Sequence, residues 1–400
     1  MNIGVDLRAL GGEKVSGVKI YISSLLQALT KLDQKNHYFL WWNSAEKKIP
    51  SELKIPSSPR FRLIHTRFSN RILNLKILAK NSDPLDKLIL ASEARSEKLD
   101  AFFLPNPNPV ILSPHCRLIT TIHDLSPTLY PQFFSAKTRL WHQFLNPEKI
   151  AQNSDHILTP SNATKKDLTE HWGIPPEKIT STPLAAPANS RKTPLEKLRQ
   201  KYHLPEKFIL SLSTLEPRKN LPTLIKAFRE LKSELKIPHE LVLAGEPDPR
   251  IFANPKIGVK TPRRGVSNPR TNSGVKKTGI KFLSFVAEKD KSALLSAADV
   301  FCFPSFYEGF GLPPLEAMSV GTAVLAADIP SLREVCGNAA KFIPPKNVDA
   351  WKIALQKILS NDELREDLGQ RGLAQANKFS WEDCARKTIE VFEKACNSPF

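Results

Sequence analysis

A chain of 400 residues with 41% apolar and 24% charged residues and a net charge of +18 is an ordinary globular composition carrying a strongly basic balance. That length exceeds a single ordinary core, so two domains of about 150–200 residues are expected. No stretch approaches the roughly 20 apolar residues of a membrane span, no basic-then-apolar leader precedes the first strand pattern, and the five scattered cysteines lack a C-x-x-C pair, which argues against a disulfide scaffold or zinc site and for reduced thiols in a cytoplasmic protein.

The first half alternates apolar runs with amphipathic ones. Strands are expected at Ile3–Leu7, His37–Trp41, Phe61–His65, Ala101–Leu104, Arg117–Ile122 and His156–Pro160, and helices at Val18–Leu32, Lys137–Asn153 and Asn162–Trp172, the last capped by Ser161 or Asn162. Pro183–Pro194, rich in proline and small residues, reads as an interdomain linker. A second series follows, with strands at Phe208–Ser213, Glu240–Ala244, Ile280–Phe285, Val300–Pro304, Ala323–Ala326 and Ala340–Ile343. Its helices are expected at Leu221–Leu235, Asp290–Ala298, Pro314–Ser319, Asp349–Ser360, Asp362–Lys378 and Trp381–Cys396. Alternation of this kind predicts an α/β protein of two doubly wound Rossmann-like domains, residues 1–185 and 195–378, facing a central cleft. The stretch 251–279 breaks the pattern. It is basic, free of acids and rich in Gly, Pro, Asn and Ser, and reads as a long surface loop.

Three segments carry chemistry. Phe301-Cys-Phe-Pro-Ser-Phe-Tyr-Glu308-Gly-Phe-Gly311-Leu-Pro-Pro-Leu-Glu316 reads as a buried strand, a glycine loop and a helix start, with a carboxylate at each end of the loop. Gly309 and Gly311 allow close backbone approach, and Pro313 and Pro314 suit a first helical turn. Thr214-Leu-Glu216-Pro-Arg218-Lys219-Asn220 places two adjacent cations between a strand and a helix, where they can neutralise a diphosphate. Ile119-Thr-Thr-Ile-His123-Asp124 ends an apolar strand in a histidine able to donate to a sugar hydroxyl or to carry charge near neutral pH. The first loop, with Gly11, Gly12 and Gly17, could bring backbone amides to a phosphate or an acceptor, but lacks the G-x-G-x-x-G spacing of a dinucleotide fold. Acids for hydroxyls and cations for phosphates, with no Asp-x-Asp triplet and no metal-ligand spacing, point to a nucleotide sugar bound without a metal ion or other cofactor.

These segments, in this order and over nearly the whole chain, resemble the family 4 retaining glycosyltransferases (group 1 glycosyltransferases) of the glycosyltransferase-B fold, and most closely their mannosyltransferase-like branch in surface polysaccharide synthesis. The resemblance implies a hexose, mannose favoured, moved from a nucleotide sugar (GDP-mannose favoured, a UDP-sugar as the alternative) to a saccharide or lipid-linked acceptor. It implies that Glu308 holds donor-sugar hydroxyls, that Phe310, Gly311 and Leu312 offer amides beside Gly309, and that Glu316 chelates the ribose. Arg218 and Lys219 would bind the diphosphate, the backbone at Phe285 and Val286 would touch the base, His123 would sit by the transferred sugar, and the last helix, 380–400, starting near Trp381, would cross back to the first domain. Lys19 and Ile20 stand where many relatives carry glycine and arginine. The rival readings are a nucleotide-sugar epimerase on the same fold and a non-catalytic basic protein binding membrane or nucleic acid. No nucleic-acid motif is present, so the charge points to an anionic membrane surface and a peripheral position on the inner face of the cell membrane.

Overall fold

The computed structural model describes residues 1–11, 16–44, 58–79, 83–91, 98–187, 193–248, 251–253 and 279–397. The chain divides into two compact units. Met1–Leu125, Leu140–Leu184 and Ser380–Phe400 form the first, and Ser126–Arg139 with Ala185–Phe379 form the second. The expected basic loop falls almost wholly outside the described residues, as do Gly12 and part of the stretch between the units.

In the first unit, strands β1 (Asn2–Asp6), β2 (His37–Asn43), β3 (Phe61–Thr66), β4 (Ala101–Leu104), β5 (Arg117–Thr121), β6 (His156–Thr159) and β7 (Ile179–Ser181) build one parallel sheet in the order β3-β2-β1-β4-β5-β6-β7. Every residue of β4 and β6 is buried. A parallel sheet covered on both faces requires such unbroken apolar runs, and for that reason these strands were readable without alternation. The second sheet, also parallel, takes the order β10-β9-β8-β11-β12-β13, with β8 at Phe208–Leu212, β9 at Glu240–Ala244, β10 at Ile280–Leu283, β11 at Val300–Phe303, β12 at Val324–Ala327 and β13 at Ala340–Ile343. In each sheet the order turns back beside the first strand of the unit: between β1 and β4, and between β8 and β11. Loops leaving the carboxyl ends of strands at such a reversal diverge and open a crevice.

Several elements differ from expectation. The single helix expected over Lys137–Asn153 is two, Ala136–Leu145 and Pro147–Asn153. Asn146 stands at φ 47° and its side chain caps Lys149 N, while Pro147 opens the new helix. Strand β7 has three residues, too few for a pattern. The helices Asn70–Leu78, Leu85–Ala91, Leu195–Tyr202 and Pro330–Cys336 were not read from the sequence. Ser126–Arg139 leaves the first unit to join the second. Ser135 N donates to Ile251 O (2.8 Å), Ala253 N to Phe133 O (2.8 Å), and the Tyr130 and Tyr307 rings meet at 5.4 Å.

The closing helix, Trp381–Asn397, lies on helix Gly17–Leu32 and over β4, β5 and β6 of the first sheet. Phe392, fully buried, sets its ring 5.4 Å from Phe103 and 6.4 Å from Tyr38, and Cys384 donates its thiol to Thr182 O. Truncating such a side chain removes transfer free energy and leaves a cavity. Phe392→Ala is therefore expected to destabilise the first unit by about 3–5 kcal/mol in urea denaturation followed by circular dichroism. An unchanged transition would show that this helix is not part of that core.

Candidate functional site

The second unit gathers its chemistry at the β8/β11 reversal. Because Ile209 and Leu210 pair with Val300 and Phe301, the loops leaving the two strands emerge side by side. After β8 the chain makes a 3-10 turn over Pro217–Lys219, then Asn220 enters the left-handed region (φ 52°) to start helix Leu221–Leu235. Asparagine tolerates that conformation because its short polar side chain bonds locally. Here Asn220 Nδ2 donates to Pro304 O (3.0 Å) and Pro345 O (2.6 Å), and its Oδ1 accepts from Thr223 Oγ1 (2.7 Å). Phe306 N donates to Arg218 O (2.9 Å). The two loops are thus stitched together before any side chain of the site is considered.

Four charged side chains converge there. Lys219 Nζ donates to Glu308 Oε1 at 2.6 Å, and Arg218 Nη1 donates to Glu308 Oε2 at 3.0 Å and to Tyr307 O at 3.0 Å. Arg218 Nη2 donates to Glu216 Oε1 at 2.8 Å, and Lys219 Nζ lies 3.8 Å from the same oxygen and 5.0 Å from the centre of the Phe303 ring. All four are at least nine-tenths buried or close to it. Burial alone would push the Glu308 carboxyl up. The charges of Arg218 and Lys219 more than offset it and hold Glu308 below the ordinary glutamate range, so it is an anion at neutral pH. The sequence alone assigns no role to Glu216. It anchors the guanidinium that Glu308 also holds, and its position two residues before Arg218 was the available signal.

Gly311 precedes helix Leu312–Met318 at φ 113°, and a Cβ there would run into Leu332 Cδ2. Only glycine suits both constraints. Pro313 and Pro314 occupy the first turn, Phe310 is buried, and Glu316 is 4% exposed on the inner side of the helix. Glu316 accepts from Lys291 Nζ (2.7 Å), which also reaches Glu288 Oε1 (3.1 Å). Burial pushes Glu316 above its ordinary range, and the Lys291 charge draws it only part of the way back. Lys291 escaped the sequence reading because Glu288-Lys-Asp-Lys291 looks like any solvated helix start. Its helix, Glu288–Ser296, follows the turn that carries Phe285, 58% exposed, and Val286. Asp290 of that helix is buried and accepts from Thr193, Lys201 and Tyr202, which fixes the helix in place. Among the described residues no group of His, Cys, Asp and Glu is arranged to hold a metal ion.

In the first unit, His123 follows β5. Its Nε2 lies 2.8 Å from Pro105 O, and the Tyr21 ring stands edge-on at 5.0 Å. A carbonyl only accepts, so Nε2 carries the proton. Burial lowers the histidine pKa, so the neutral ring presents Nδ1 as an acceptor. The expected donation to a sugar hydroxyl is therefore not what the neutral ring offers through its free nitrogen. Tyr21 in turn shares a hydrogen bond with Thr121 Oγ1 (2.9 Å). Gly11 follows a short 3-10 turn, and Gly17 opens helix Gly17–Leu32, where Ser16 caps Lys19 N. Neither glycine has a positive φ. Below them, Asp6 and Arg8 form a buried pair (2.8 Å) at the carboxyl end of β1.

The raised Glu316 pKa makes the folded state bind more protons than the unfolded one as pH rises past the ordinary value of 4.5, so its contribution to stability falls through that window. Lys291→Met removes the opposing charge and moves the window upward. Relative to the unchanged protein, the variant is expected to keep losing stability further toward neutral pH, as read by urea midpoints between about pH 4 and pH 8. Parallel profiles would contradict the pairing.

Two family models match, "Glycosyl transferases group 1" over residues 195–375 and "Glycosyltransferase Family 4" over residues 15–185. The O-antigen chain mannosyltransferase B of Escherichia coli is 34% identical over 281 residues, covering 69% of this chain and 70% of that one. The serotype-specific mannosyltransferase WbdA of Escherichia coli is 30% identical across 70% of this chain, which spans only about a third of that relative's length (34%). Among solved structures, sucrose-phosphate synthase of Thermosynechococcus elongatus aligns with a TM-score of 0.68 at 20% identity, over 98% of both chains. Anabaena HepE in complex with UDP-glucose aligns with 0.68 at 16% identity, over 98% of this chain and 100% of that one. With both halves matched in the expected order and a two-sheet parallel architecture shared with the solved relatives, the chain belongs to the group 1, family 4 glycosyltransferases and has the glycosyltransferase-B fold.

Proposed function

We propose that this glycosyltransferase moves a hexose, mannose in the favoured case, from a nucleotide sugar to a saccharide or lipid-linked acceptor in surface polysaccharide synthesis, with retention of anomeric configuration. The observation that carries the proposal is Glu308 held by both of its oxygens, one to Arg218 and one to Lys219, at the β8/β11 reversal. The mannosyltransferase names of the Escherichia coli relatives favour GDP-mannose as donor, with a UDP-sugar as the second choice.

In this proposal Arg218 and Lys219 face the diphosphate, whose negative charge grows as its bond to the anomeric carbon breaks, and the amides of Phe310, Gly311 and Leu312 help to hold it. Donors already in place stabilise that charge without reorganising at the moment of reaction. Glu316, beside Lys291, is assigned to the ribose hydroxyls, and Phe285 and Val286 to the base. Glu308 grips sugar hydroxyls. A carboxylate whose two oxygens are engaged by cations is a poor nucleophile, which favours a front-face reaction in which the leaving phosphate takes the acceptor's proton, over a double displacement through a covalent glycosyl-enzyme. His123 is assigned to the transferred sugar as a hydroxyl-proton acceptor through Nδ1. Gly11, Gly12 and Gly17 are assigned to the acceptor side. No helix among the described residues is long and apolar enough to cross a membrane. The excess of positive charge supports attachment to an anionic membrane surface.

The test is product analysis with GDP-mannose and a mannose-terminated acceptor. A new α-mannoside is expected, and Glu308→Ala or Arg218→Ala should lower the rate by about 10²–10³-fold. Donor incubated alone should give at most slow hydrolysis. A sugar epimeric to mannose in that control, free or nucleotide-linked, would instead indicate an epimerase, and a mannosyl group trapped on Glu308 would overturn the front-face route.

A further inference from the structure

Glu246 stands in the loop that leaves β9. That strand lies between β8 and β10 in the second sheet, so its loop runs between the one that carries Arg218 and Lys219 and the turn that carries Phe285 and Val286. The loop is tied to both neighbours through the backbone. Gly245 N donates to Leu283 O (2.9 Å) and Ser284 O (3.1 Å), while Ser213 N donates to Ala244 O (3.0 Å) and Leu215 N to Glu246 O (3.1 Å). Gly245 takes a φ of 140°, and a Cβ there would lie 1.8 Å from Ser213 O. Only glycine lets the two loops pass this closely. The backbone that carries Glu246 is thereby pinned on both sides.

The side chain is held as well. Ser284 Oγ donates to Glu246 Oε1 (2.7 Å), and Ser284 immediately precedes Phe285. The Phe285 side chain is 58% exposed, an aromatic face that a stacked base would cover. A carboxylate and an exposed aromatic ring therefore stand on adjoining loops at the carboxyl edge of the sheet. A carboxylate only accepts, and its two oxygens together have room for about four hydrogen bonds, so the bond from Ser284 does not exhaust it. Guanine presents two parallel donors on one edge, N1–H and the N2 amino group, which match the two oxygens of a carboxylate. Paired bonds of this kind to an ionised group are the strong and directional ones. Uracil presents a single N3–H between two carbonyl oxygens, which a carboxylate repels. Adenine has an acceptor, N1, at the matching place. Of these three bases only guanine suits an acid here.

We propose that Glu246, held by Ser284, reads the N1–H and N2 amino edge of guanine and so selects a guanosine over a uridine diphosphate sugar. This deepens the donor assignment made above and rests on it, since it takes the base to lie at Phe285 and Val286. The acid works in two directions. It accepts both donors of guanine, and it opposes the carbonyls of uracil, so the selection has an attractive and a repulsive part. Ser284 is a positioning residue: it acts on the base through the carboxylate that it orients.

The test is calorimetric titration of the full chain with GDP, UDP and inosine diphosphate, which keeps the stacking area of the purine but lacks the N2 amino group. The unchanged protein is expected to bind GDP about 10–100-fold more tightly than UDP, and inosine diphosphate severalfold more weakly than GDP. Glu246→Gln keeps the size of the side chain but turns one acceptor into a donor. It is expected to lose most of the preference for GDP over both other nucleotides without weakening UDP, and Ser284→Ala to lower GDP affinity severalfold. Thermal midpoints show whether the variants fold, and the inosine comparison needs no variant at all. Equal affinity of the unchanged protein for GDP and UDP, or for GDP and inosine diphosphate, would overturn the proposal while leaving the diphosphate site standing. A Glu246→Gln variant that loses GDP and UDP binding in equal measure would give Glu246 a structural task and overturn it likewise. If none of the three nucleotides binds, the donor assignment itself falls, and this inference with it.

Discussion

The structure of the second unit is organised around one electrostatic problem: keeping a carboxylate charged where water is scarce. Glu308 solves it by sharing Arg218 and Lys219, while Glu216 takes the rest of the guanidinium. Each partner is costly to leave unpaired. Removing one member of a buried pair typically costs about 3–5 kcal/mol, because the survivor remains a desolvated charge. The cluster therefore locks the loop after β8 to the loop after β11, and the backbone bonds through Asn220 and Phe306 reinforce the same junction. An anionic ligand entering here meets cations already oriented.

The two acids of the glycine loop are in different states for a physical reason. Glu308 faces two cations and is held below its ordinary pKa, while Glu316 faces one, Lys291, itself shared with Glu288, and burial prevails. Two carboxylates of the same segment are thus set apart by neighbours that come from other elements. A diphosphate and a ribose make different demands, one of charge and one of hydrogen bonding, and the proposed division of the loop follows that difference.

How much of this was legible depended on the range of the interaction. Buried parallel strands announce themselves as apolar runs, so β4, β9 and β13 fell at their expected residues, and the α/β class followed from the alternation. The glycine loop was legible because Gly311 answers a local backbone requirement. Lys291 was not, because nothing near it in sequence says that it reaches Glu316, twenty-five positions away. Nor was the break at Asn146, where a left-handed residue interrupts an otherwise continuous helical pattern. The excursion of Ser126–Arg139 into the second unit is likewise tertiary: its pairing through Phe134 and Phe252 leaves no local periodicity. Helix Asn70–Leu78 lacked a readable signature because it is apolar on two sides, which blurs the 3.6-residue period.

The most direct measurement is a calorimetric titration of the purified protein with GDP and UDP in the presence of a chelator, repeated with Arg218→Ala/Lys219→Ala. The account requires at least one nucleoside diphosphate to bind without a divalent metal and the double variant to lose that binding. Equal affinity in both proteins, or binding that appears only when magnesium is restored, would contradict a cradle built from the two cations.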